Sequence, residues 1–183
     1  MPSEAELPAP IFAGFFPKHA ERSAETIQAP GVDRVRSVSE CISKGPEDWI
    51  QHWAHNELGF FDREDTALSI VENPSENYEL YAYTVYPLRW NEDGTVEDWR
   101  PGAAPGDLPS GYEHIGYDVV SKSFSSFFEC SPLSCNAGFQ EFSVNEHCLF
   151  SDLETARTAI VRFATGDYEP GSYYLVGVYL KRR

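Results

Sequence analysis

Hydrophobic and polar positions along this chain switch period several times, and each switch predicts an element. Tyr78–Leu80–Ala82–Thr84–Tyr86 alternate with Glu79, Tyr81, Tyr83 and Val85 in a run rich in aromatic and β-branched residues, which predicts a strand stopped by Pro87. Tyr112–Ser121 and Phe124–Phe128 read as further strands. Tyr173–Leu180 is apolar on both faces and reads as a central strand. Helical spacing appears four times. After Asp33, the residues Val35, Val38, Cys41 and Ile42 predict a short helix, and Glu47–Asp48 open a second in which Trp49, Ile50 and Trp53 share a face, ended by Gly59. Asp62–Asp65 cap a third with Ala67, Leu68 and Val71 as its stripe. Ser151–Asp152–Leu153–Glu154 carries the capping-box pattern ahead of a fourth, with Ala156, Ala159, Ile160 and Phe163 facing inward.

Between these elements lie two irregular stretches. Residues 1–32 hold Pro8, Pro10, Pro17 and Pro30 around the run Ile11–Phe16, so an extended N-terminal arm is expected there. Residues 91–111, with Pro101, Pro105 and Pro109, predict a loop longer than ordinary connections, of the kind that serves as a lid, a binding loop or an insertion.

An internal repeat changes this picture. At one fixed spacing Asn56 aligns with Asn145, Glu57 with Glu146, Phe61 with Phe150, Thr66 with Thr155 and Ala67 with Ala156, each stretch followed by a tyrosine-rich strand. The expected architecture is therefore α+β. Helices pack as a second layer on an antiparallel or mixed sheet, built from a duplicated helix–strand unit, with halves at about 47–90 and 139–183 inside one domain, 33–183.

Composition narrows the function. The chain has 183 residues, 42% of them hydrophobic, enough for a sizeable core, and no apolar run long enough to span a membrane. A net charge of −15 opposes binding to nucleic-acid phosphates and suits a partner with a basic surface. Four cysteines are too few for a disulfide scaffold, which fits a reducing, cytoplasmic setting. Dinucleotide, P-loop, zincin and serine-hydrolase signatures are absent, and no cofactor is implied.

Three of the four cysteines fall in Cys130–Cys148, and three readings of them stand open. Cys130, Cys135, His147 and Cys148 offer soft ligands to a metal such as zinc, although the spacing of the first two is looser than a zinc knuckle. Cys135 could act as a nucleophile, with Asn136 as an orienting amide and His147 or His55 as base. The plainest reading makes the cysteines small buried hydrophobes around a tight turn. A second constellation, Trp49, His52, Trp53, His55 and Asn56, could form a pocket in which a tryptophan stacks a ring and His55 or Asn56 hydrogen-bonds it. The expectation is an acidic binding module directed at a protein partner, the alternative an enzyme using Cys135.

Overall fold

The computed structural model describes residues 7–20, 28–52, 54–71, 77–102, 105–122 and 127–182. Trp53, and the 124–126 part of the strand expected at Phe124–Phe128, lie outside them. Nine elements follow one another: β1 (Ile11–His19), α1 (Glu64–Ser69), β2 (Tyr78–Val85), β3 (Leu88–Trp90), β4 (Val96–Asp98), β5 (Tyr112–Lys122), α2 (Pro132–Cys135), α3 (Leu153–Thr165) and β6 (Ser172–Lys181).

This is a mainly β structure, which corrects the expected two-layer α+β arrangement. Six strands pair antiparallel in one sheet, and α3, at 13 residues, is the single helix of any length among the described residues. No helix in the described residues is long and apolar enough to cross a membrane. The helix expected from Asp33 does not form, because its backbone N–H groups are claimed by distant partners. Asp33 and Arg34 donate to the Glu146 carbonyl, Arg36 to that of His147, and Val38 to the Asp118 carboxylate. Val35 and Val38 are buried as expected, but on an extended strap. The helix expected at 47–59 shrinks to one 3₁₀ turn, Trp49–Gln51. Asp48 ahead of it sits in the left-handed region at φ 56°, and Ile50, placed by periodicity on the inner face, is 54% exposed. Within the 91–111 stretch, Val96–Asp98 folds back on β3 as a short hairpin strand.

The stretch read as an arm supplies β1, which pairs with β2 from Ile11↔Val85 to His19↔Tyr78. β2 pairs with β6, and β6 with β5. One row crosses all four strands: Gly14 pairs with Tyr83, Tyr83 with Val178, and Val178 with Gly116. Both ends of the row are bulges, with Ala13 the extra residue on one side and Ile115 on the other.

Each bulge carbonyl is held by an asparagine. Asn56 Nδ2 donates to Ala13 O at 2.8 Å, and Asn145 Nδ2 to Ile115 O at the same distance. The Oδ1 of each accepts two backbone N–H groups from its own turn, Leu58 and Phe60 for Asn56, His147 and Leu149 for Asn145. Gly59 and Cys148 then both take left-handed conformations, φ 84° and 57°. Each turn closes on the neighbouring strand through paired bonds, Phe61 with Phe15 and Phe150 with Tyr117. The structural correspondence thus starts at the strand before each turn, outside the halves drawn from sequence. It weakens at the helices, where α1 has 6 residues against 13 in α3.

Beyond their bulges, the outer edges of β1 and β5 are closed donor by donor. Phe15 donates to Phe61 O, Pro17 has no N–H, and His19 donates to Lys44 O. On β5, Tyr117 donates to Phe150 O, Val119 to the Asp118 side chain, and Ser121 to Cys130 O. Open strand edges are a liability that proteins cover, and proline on an edge strand is one device for doing so.

Candidate thiol site

Two fully buried charges hold the strap 33–44 and the loop carrying α2 in place. Lys18, on β1, sends its ammonium to the carbonyls of Val38, Ser39 and Ser43 at 3.1, 3.1 and 2.7 Å, which uses all three donors. Burial lowers its pKa to about 8, so it is still charged at neutral pH. Asp118, on β5, accepts from Val38 N at 2.7 Å, Ser131 Oγ at 2.7 Å and Val119 N at 2.8 Å. Burial raises its carboxyl to about 6, against the pull of those donors. Ser131 in turn accepts from Ser39 N and precedes α2, where Pro132 takes the first helical position, in which a missing N–H costs nothing.

The strap and the loop bring three thiols together. Cys41 on the strap is exposed, Cys130 is buried, and Cys135 at the end of α2 is half-buried; their sulfur atoms all lie within 4.8 Å of one another. Ser39 Oγ lies 3.3 Å from Cys135 Sγ, Cys130 Sγ donates to Asn136 Oδ1 at 3.3 Å, and Cys41 Sγ donates to the Glu129 carbonyl at 3.8 Å. Hydrogen bonds from Cys130 and Cys135 hold the Cys41 thiol well below its ordinary range, while the same contacts and burial push Cys130 far up.

Of the residues proposed from sequence, Cys130, Cys135 and Asn136 meet here, and His147, Cys148 and His55 go elsewhere. Cys148 is fully buried in the core under α3, and that burial pushes its thiol up to about 12. His147 belongs to the second asparagine turn, with Nε2 3.8 Å from Glu146 Oε1, and burial favours its neutral form. His55 Nδ1 and Nε2 face the carbonyls of Asn56 and Ile50. The polar partners of the three thiols are Ser39, Glu129, Ser134 and Asn136, and neither of those histidines is among them. Asn56 builds the first turn. Cys41 was missed because periodicity put it on a helix, yet the spacing that aligns Asn56 with Asn145 also aligns Cys41 with Cys130.

No family model, curated protein or solved structure matches this chain. Any function must be read from its own geometry.

Cys41 also lines a cleft of about 420 Å³ walled by Phe16, Trp49, Phe127 and Phe128, with Glu40, Glu129 and Lys44 as its charged lining residues. Trp49 packs edge-on against Phe16 at 5.0 Å and lies 5.5 Å from Phe127, with His55 beside both Trp49 and Phe127 at 5.4 and 5.0 Å. Glu40 is fixed by bonds from Gly45 N and from the indole N–H of Trp49. The tryptophan picked out from sequence thus borders a cavity, and His55 packs on the rings of Trp49 and Phe127 without lining it.

Proposed function

We propose that this chain is a binding module for a protein partner that presents a basic segment, with a lysine or arginine of that segment seated in the aromatic cleft. The observation that supports this reading best is the pairing of Trp49, Phe16, Phe127 and Phe128 with two acidic residues, Glu40 and Glu129, against one basic residue, Lys44, around one cavity in a chain of net charge −15. Aromatic faces attract cations through their quadrupole, by roughly 0.5–2 kcal/mol as the cation is desolvated. Acidic groups at the rim raise the local concentration of a basic ligand and speed its encounter. The rims of β1 and β5 beyond their bulges are covered, so strand addition there is a poor route for such a partner, and insertion of a side chain into the cleft is the proposed mode of contact.

Calorimetric titration of the full chain with an arginine- and lysine-rich peptide, and with a glutamate-rich peptide of equal length, tests the reading. The basic peptide alone is expected to bind, more weakly as ionic strength rises from about 0.05 to 0.5 M, and Phe127→Ala is expected to abolish most of the binding. Equal binding of the two peptides, or indifference to Phe127→Ala, would count against it.

A further inference from the structure

We infer that Cys41, Cys130 and Cys135 form a binding site for one thiophilic d¹⁰ cation, Zn²⁺ or Cu⁺. The convergence itself carries the argument. Three sulfur atoms, one from the strap and two from the loop carrying α2, lie within 4.8 Å of one another, and the set is the only group of three or more potential metal ligands that meets this closeness among the described residues. Sulfur atoms around a tetrahedral zinc, with Zn–S near 2.3 Å, stand about 3.8 Å apart, so the cluster needs only small side-chain adjustment to close on an ion. Thiolates are the ligands that select Zn²⁺ and Cu⁺ over harder cations.

The supports of the site do not depend on the sulfurs. Asp118 and Ser131 tie the strap to the loop before α2, Lys18 pins the strap from below, and Cys135 N donates to Ser131 O. Groups that orient ligands in this way are what make a metal site preorganised. Three thiolates around Zn²⁺ leave one negative charge; Lys18 acts on Cys135 and Lys44 on Cys41 as cations, and Asp118 acts on Cys135 as an anion. Three protein ligands leave a fourth tetrahedral position for water or an incoming ligand, the pattern of an open rather than a closed zinc site. With Cys41 exposed and on the cleft wall, that position is reachable from solvent. The site differs from the sequence-derived set by taking Cys41 in place of His147 and Cys148, and it stands independently of whatever occupies the aromatic cleft.

The test uses the full chain, stripped with chelator and kept reduced without oxygen. Co²⁺ titration is expected to reach one equivalent with sulfur-to-metal charge-transfer absorption, which Zn²⁺ then displaces; Cu⁺ is titrated separately against a chromophoric chelator. Cys41→Ser, Cys130→Ser and Cys135→Ser are each expected to lower affinity by more than about 100-fold, beyond the 10–100-fold cost of losing an outer-shell partner. Cys148→Ala is expected to leave binding unchanged. Cys41 is exposed, so Cys41→Ser separates lost ligation from lost folding, with circular dichroism as the check. Absence of stoichiometric binding by either ion, binding that survives Cys41→Ser, or binding lost in Cys148→Ala at intact fold would each overturn the proposal.

Discussion

At the scale of single residues, the least expected feature is a buried carboxylate that connects three pieces of chain. Asp118 joins β5, the strap and the loop before α2 through three short hydrogen bonds, yet burial lifts its carboxyl from 3.8 to about 6. A carboxyl raised on folding holds its proton more tightly in the folded chain than in the unfolded one. The stability this lends is complete below about pH 4 and is lost as pH rises through about 6, a change on the order of 3 kcal/mol for one such group. Comparing the melting temperatures of the native protein and Asp118→Asn across pH 4 to 7 checks this. The native protein should lose ground to the variant as pH rises through that window, and parallel profiles would mean that Asp118 does not titrate there. The sequence set Asp118 apart only as an acidic residue inside a predicted strand and gave it no role, because that role depends on Val38 and Ser131, which only the fold brings near. Cys130, Cys135 and Asn136, by contrast, were grouped from sequence and do lie together in the fold. The partner that completes their cluster, Cys41, was not.

At the scale of elements, what could be read from sequence was what local alternation determines. β2, β5, β6 and α3 lie where their periodicity puts them, although the N-cap of α3 is Asp152, which accepts from Thr155 N, in place of Ser151. The strap at 33–44 could not be read in this way. Apolar residues at helical spacing say that one side is buried, but not whether the backbone bonds to itself or to Glu146, His147 and Asp118. The asparagine turns were visible as matched letters, and their job, holding a bulge, was not. That job sets a steric demand on the strand they face. A Cβ on Gly14 would come within 2.8 Å of Phe60 Cβ and Phe61 O, and one on Gly116 within 2.8 Å of Leu149 Cβ and Phe150 O, at φ of 130° and 146°. Gly14→Ala and Gly116→Ala should therefore each destabilise the protein by about 2–4 kcal/mol, since backbone strain and overpacking act together. Urea denaturation midpoints measure this, and a loss under about 0.5 kcal/mol at either position, the level of ordinary surface substitutions, would show that its turn yields. The two positions should behave alike if the two turns carry equal loads.

At the scale of the whole molecule, charge and fold set separate limits on association. The net charge of −15 repels like copies and favours basic partners, as the proposed peptide titration examines, and it fades with salt and with acid. The sheet contributes something that neither salt nor acid removes. A β-sheet with bare rims is a template on which a second chain can add strands, and repeated addition produces cross-β fibres. Here Pro17, the Asp118 carboxylate and the two turn segments leave the rims of β1 and β5 without a run of unclaimed donors. Near the isoelectric point, about pH 4.6, repulsion between copies vanishes. The protein is then expected to come out of solution as amorphous precipitate that leaves thioflavin dark. Seeded, dye-positive fibres from the folded state at that pH would show the rims to be open. Closure of this kind makes the sheet self-terminating at β1 and β5, so that growth from those two rims is limited by the backbone as well as by charge.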